Sequence, residues 1–132
     1  MLSLVEAFLR FFSRIDCYAR PQTFPSPVAA IKGNNDTGVC AERLPEYRSV
    51  RVGQHRLFVI HNFHELEFDP AAHKFRAVIS GHSHKPAVVE KDGVLFVNPG
   101  SPGPHRFKLP VAVGKIFVDG PNDRAEIVKL FV

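Results

Sequence analysis

Three short segments hold most of the side chains in this sequence that could do chemistry. They are Gly33-Asn34-Asn35-Asp36, His61-Asn62-Phe63-His64 and Gly81-His82-Ser83-His84. Imidazole nitrogens and amide or carboxylate oxygens are donors for a first-row divalent cation. His82 and His84 stand two apart. In extended backbone both rings face the same way, so both could reach one cation or a close pair of cations. Gly81, just before them, lets the backbone turn sharply. Each segment also has an ordinary reading. An H-x-H pair can be two solvated imidazoles on a surface strand, and Asn-Asn-Asp after glycine can be a turn or a helix cap. Taken together the three favour a metal site without excluding those alternatives. His55, His73 and His105 have no such context and are expected at the surface.

Each segment follows an apolar run: residues 28–31, 57–60 and 77–80 respectively. A continuously apolar strand such as 57–60 is one covered on both faces. Layered α/β proteins assemble sites at strand ends because the strands hold the loops rigidly. Residues 2–15 place Leu4, Val5, Phe8, Leu9, Phe12 and Ile15 at helical spacing, which predicts a core-docking helix. Residues 16–27 carry Pro21, Pro25 and Pro27 without any period, as a loop does. Residues 47–52 and 56–60 bracket Gly53-Gln54, and residues 88–90 and 94–97 flank Lys91-Asp92-Gly93. Both patterns predict hairpins. Strands over 111–118 and 127–132 finish the chain. The expected fold class is α/β (α+β), with strands dominating the second half.

The chain has 132 residues, 45% apolar and 23% charged, which excludes collagen-like, coiled-coil and wholly disordered chains. Tryptophan is absent and phenylalanine numbers twelve, so a Phe-rich core is expected. The net charge is +4, but Lys and Arg are scattered singly, so no specific nucleic-acid binding is expected. A phosphate-bearing substrate would still meet a favourable field. Cys17 and Cys40 have no C-x-x-C spacing and suggest no disulfide scaffold. The N-terminal stretch has an early Glu6 and no basic n-region, so no secretory signal is read and a cytoplasmic location is expected. The same stretch is too short and too charged to span a membrane.

Taken in order, these residues resemble the calcineurin-like metallophosphoesterase superfamily, in its small bacterial and archaeal YfcE-type phosphodiesterase branch. That family carries D-x-H, G-D, G-N-x-[DE], a histidine at a strand end, and G-H-x-H. Gly33-Asn34-Asn35-Asp36, His61 and Gly81-His82-Ser83-His84-Lys85-Pro86 match the last three, and Asn98-Pro99-Gly100-Ser101 resembles the branch's N-P-G-S turn. The resemblance implies a layered β-sandwich flanked by helices. It implies hydrolysis of a small phosphodiester or phosphate ester by metal-activated water. It implies a divalent metal cofactor, Mn²⁺ first, with Zn²⁺, Ni²⁺ or Fe²⁺ as alternatives. Asn34 would ligate through its amide oxygen, His61 and His82 would hold one cation and His84 the other. Asn35 stands at a catalytic position where relatives carry a histidine. An amide has no proton to give at neutral pH, so Asn35 is expected to hydrogen-bond phosphate oxygens. Asn62 is expected to act only from behind the ligands.

The chain departs from the family at its front. D-x-H and G-D are absent from residues 1–32, and Asp16-Cys17-Tyr18 is a poor substitute. The expected division is an N-terminal helix and linker over 1–26, unlike the family, and a partial metallophosphoesterase domain over 27–132. That domain would lack its first strand, through truncation or a misplaced start. Three imidazoles and one amide are all neutral, and two adjacent +2 charges without an anionic bridge repel strongly, so at most one tightly held cation is expected. A strand missing beside 28–31 would expose a sheet edge. The N-terminal helix or a second copy of the chain could cover it. The expected function is a metal-dependent phosphodiesterase, impaired by the missing motifs. The alternative is a non-catalytic binding scaffold of the same fold, as in a retromer subunit. Lys85, Arg106 and Lys108, near the motif loops, are expected to be solvated surface residues.

Overall fold

The computed structural model describes the backbone of residues 3–7, and residues 31–32, 44–83, 85–100, 110–118 and 123–130. Within them lie eight strands: β1 (Ser3–Ala7), β2 (Tyr47–Val52), β3 (His55–Ile60), β4 (Ala77–Ile79), β5 (Ala87–Lys91), β6 (Val94–Asn98), β7 (Ala112–Val118) and β8 (Arg124–Lys129). They form a three-stranded sheet in the order β1-β7-β8 and a five-stranded sheet in the order β2-β3-β4-β6-β5. β3, β4 and β6 are mutually parallel, whereas the remaining pairs are antiparallel.

The two hairpins follow from their turn residues. Gly53, the first residue of the β2–β3 turn, has φ +60°, which glycine adopts at little cost. Asp92 and Gly93 have φ +53° and +78°, the pattern of an Asp-Gly type I′ turn. These turns pin the register as Val52 opposite His55 and Lys91 opposite Val94.

Side chains alternate between the two faces of a strand, so an apolar run has to find cover twice. Leu57, Ala77, Ile79, Leu95 and Val97 point from the five-stranded sheet into one cluster with Ile116 and Val118 of β7. This is the interior of a sandwich. Phe58, Ile60, Val78 and Val94 point from the opposite face into a second cluster with Phe75. There Phe58 meets Phe68 edge-on at 5.0 Å and Phe75 at 5.3 Å. Part of the Phe-rich composition is spent on this outer layer. Burying a side chain such as Leu57 or Val78 stabilises by roughly 1.5–3 kcal/mol.

At the N-terminal ends of the parallel strands a charge cluster fastens one sheet to the other. Asp123, just before β8, has a side chain only 1% exposed. It accepts from Arg76 Nε at 2.9 Å, and His55 Nδ1 stands 3.6 Å away. Arg76 also donates to the Gly93 carbonyl at 2.6 Å. His55, expected to be a surface residue without context, is thus engaged with a buried carboxylate. Nothing in its neighbourhood in the sequence pointed there.

The helix expected over 2–15 is corrected in its first part. Ser3–Ala7 is a strand paired with β7 from Ser3 opposite Val118 to Ala7 opposite Gly114. Leu4 and Val5 fit a strand as well as a helix, and the free edge of β7 decides between them. Residues 8–30, which include the rest of that helix and most of the run at 28–31, lie outside the described residues. Ile31 and Lys32 are in no strand. Among the described residues no α-helix flanks the sandwich; the helical piece there is a 3₁₀ turn over Phe63–Glu65. No helix among the described residues is long and apolar enough to cross a membrane.

Removing the carboxylate of Asp123 should leave the Arg76 guanidinium without its buried partner. We expect Asp123→Ala to lower the unfolding free energy by about 3 kcal/mol in a urea titration, whereas Val89→Ala on an exposed edge should cost under about 0.5 kcal/mol. Equal losses for the two variants would overturn this account of the clamp.

Candidate metal centre

Three parallel strands ending at one edge bring their following residues together. β3 is succeeded by His61, β4 by Ser80-Gly81-His82, and β6 ends at Asn98. Val59, Ile79 and Val97 lie side by side, so the three ends are level. The ladder continues past them, through Ser80 N–H to Val97 O at 2.9 Å and Gly81 N–H to His61 O at 2.8 Å.

At this edge the imidazoles of His61 and His82 meet. His82 Nδ1 lies 3.2 Å from His61 Nε2, and the rings stand edge to face at 83°. His82 is exposed and His61 partly buried. His82 has φ +70°. The Ser83 N–H bonds to the Gly81 carbonyl at 2.8 Å, which makes His82 the centre of a three-residue turn. Positive φ at a non-glycine residue costs about 1–2 kcal/mol, and such strain persists where surrounding contacts enforce it.

Those contacts come from the last residue of β6 and the turn that follows it. The Asn98 amide nitrogen donates to the Gly81 carbonyl and to Ser83 Oγ, both at 3.1 Å. Its oxygen accepts the Gly100 N–H at 2.9 Å. Gly100 has φ +77°, and a Cβ there would lie 2.8 Å from Pro86 Cγ. Only glycine fits that approach, so the loop carrying His82 and the Asn98-Pro99-Gly100 turn are packed as one unit. Asn62 caps the turn after His61 by accepting the His64 N–H at 3.1 Å. Lys85 is exposed, as expected.

The structure therefore brings His61 and His82 together. Asn34, Asn35 and His84 lie outside the described residues, as do Asp36, His105, Arg106 and Lys108. Among the described residues no group of three His, Cys, Asp or Glu side chains gathers as a metal site. The pair itself fits a divalent cation. Two nitrogens each about 2.1 Å from one tetrahedral ion stand about 3.4 Å apart, close to the spacing observed. Both are borderline donors suited to a first-row ion, and without a carboxylate they add no charge to offset it. Sequence reasoning picked out both rings. It quoted Asn98 and Gly100 only as part of a motif and missed how they hold the turn.

A family model described as the calcineurin-like phosphoesterase superfamily domain matches residues 10–119, a span that begins within the N-terminal segment. A protein of Methanothermobacter thermautotrophicus named "Probable metallophosphoesterase" is 31% identical over 110 residues, which are 79% of this chain and 63% of that one. The chain thus spans less than two thirds of that relative's length. Among solved structures, one described as a novel archaeal phosphodiesterase is 22% identical, with a TM-score of 0.69 over 89% of this chain and 77% of its own. Vps29 from Entamoeba histolytica, in complex with Zn²⁺, is 20% identical, with a TM-score of 0.58 over 82% of this chain and 72% of its own. These two likenesses show a shared fold.

The close approach at Gly100 has a measurable cost. Gly100→Ala should destabilise more than Gly53→Ala, where φ is also positive but nothing lies within 4 Å of the added carbon. We expect about 1 kcal/mol for Gly53→Ala and at least 1 kcal/mol more for Gly100→Ala in chemical denaturation.

Proposed function

Since the chain belongs to the calcineurin-like phosphoesterase superfamily, we propose that it is a metal-dependent phosphoesterase that hydrolyses a small phosphodiester. The observation that carries the reading is the 3.2 Å approach of His82 Nδ1 to His61 Nε2 at the level ends of parallel strands. His61 and His82 would hold a cation together, His84 would add a third imidazole, and Asn34 would add its amide oxygen. Mn²⁺ is the proposed cofactor from the family resemblance, with Zn²⁺, Ni²⁺ or Fe²⁺ as alternatives; one tightly held ion per chain is proposed because the ligands named carry no anionic bridge between two cations. Such an ion, when bound, acidifies water and offsets phosphate charge. The chain's own part is to hold the substrate in line. Asn35 would donate its amide hydrogens to phosphate oxygens, since an amide has no proton to transfer. A cytoplasmic location is proposed from the two cysteines without pairing spacing.

A second reading, a non-catalytic binding scaffold on the same fold, is favoured by the edge strand β5. All five of its residues are exposed, with Val88 and Val89 at 40% and 56%. A shared fold does not fix a shared activity, which keeps a scaffold as the alternative.

Incubation with bis-p-nitrophenyl phosphate and Mn²⁺ separates the two. We expect p-nitrophenol release that EDTA abolishes and added Mn²⁺ restores. His61→Ala and His82→Ala should each lower the rate by about a hundred-fold or more without loss of folding. Hydrolysis that survives His82→Ala would overturn the metal reading. No hydrolysis by the wild-type chain with any of Mn²⁺, Zn²⁺, Ni²⁺ or Fe²⁺ would favour the scaffold.

A further inference from the structure

We propose that Asn98 is a positioning residue: its amide spans His82 and holds the strained turn in which that ring meets His61. The acceptors of its amide nitrogen, Gly81 O and Ser83 Oγ, belong to the residues on either side of His82. Both amide hydrogens are therefore used across the same residue. The amide oxygen takes the Gly100 N–H. This set fixes the amide's orientation. Rotating it by half a turn would set NH₂ against the Gly100 N–H and oxygen against the Gly81 carbonyl, two repulsive contacts in place of two bonds.

The Gly81 carbonyl is the pivot. It accepts from Ser83 N at 2.8 Å within the turn and from Asn98 across the strand ends at 3.1 Å. The turn alone, with φ +70° at His82, is a conformation that an isolated chain rarely keeps. The bond from Asn98 supplies a reason for it to persist. The anchor is itself rigid. Asn98 closes β6 opposite Ala87, Pro99 is fully buried, and Gly100 rests against Pro86. The chain thus positions one imidazole from a neighbouring strand by a side-chain amide. The amide reaches the residues on either side of that imidazole and not the ring. The account of the turn rests on these contacts, whereas its consequence for cation binding rests on the reading of His61 and His82 as ligands.

The test uses the full chain, metal-free and with Co²⁺ as probe. Asn98→Asp keeps an acceptor for Gly100 but turns an oxygen toward the Gly81 carbonyl. We expect the ring-nitrogen NMR resonances of both His61 and His82 to move in the metal-free variant. We also expect Co²⁺ affinity to fall by about ten-fold or more. Gly53→Ala, a destabilising change in the distant β2–β3 turn, should leave both readouts at their wild-type values. Ser83→Ala removes one of the two acceptors and should move the His82 resonances by a smaller amount; it also serves if Asn98→Asp does not fold. Wild-type ring resonances in a folded Asn98→Asp chain, or in Ser83→Ala where that chain does not fold, would overturn the proposal. Wild-type and His82→Ala chains that bind Co²⁺ equally poorly would instead sink the ligand reading, and the metal-free resonances would still decide the role of Asn98.

Discussion

The parallel register of β3, β4 and β6 is the constraint on which the rest depends. Val59, Ile79 and Val97 stand level in three strands that run the same way. Whatever follows such strands must emerge at one edge, and a slip of one residue would send every side chain to the opposite face. Both faces are packed with apolar residues, so neither tolerates the exchange. The register therefore fixes the meeting of His61, His82 and Asn98 before any polar contact is formed. The hydrogen bonds at the edge refine a convergence that hydrophobic packing has already imposed.

The two ends of these strands use polarity differently. The N-terminal end gathers full charges, with the Asp123 carboxylate held between Arg76 and His55. The C-terminal end gathers coordinating groups: two imidazoles, one primary amide and several main-chain carbonyls. A cation at that second edge would meet nitrogen and oxygen lone pairs. An arrangement of neutral donors holds such an ion by coordination more than by long-range attraction, which suits a borderline transition metal better than a hard alkaline-earth ion.

The sequence made the local features legible. Gly53-Gln54 and Asp92-Gly93 announce their hairpins because few other dipeptides accept the required dihedral angles. The two-sided apolar run at 57–60 reads directly as a strand buried on both faces. The histidines were legible because they follow such runs. Features set by distant partners were not. The apolar spacing near Leu4 suits a helix and a strand alike, and β7, over a hundred residues later, settles it. The bond from Arg76 to Asp123 crosses 47 residues and carries no periodic trace. The role of Asn98 is hidden for the same reason: its partners belong to a loop after another strand.

The Asp123 clamp has a consequence for redesign. It lies at the N-terminal ends of the parallel strands, whereas the imidazole pair lies at their C-terminal ends. Changes at well-separated sites tend to add independently. Stability and the geometry of the imidazole edge are then two separately adjustable properties of the fold. An engineer could reinforce the fastening first and spend the margin gained on strained, ligand-selective variants of the opposite edge.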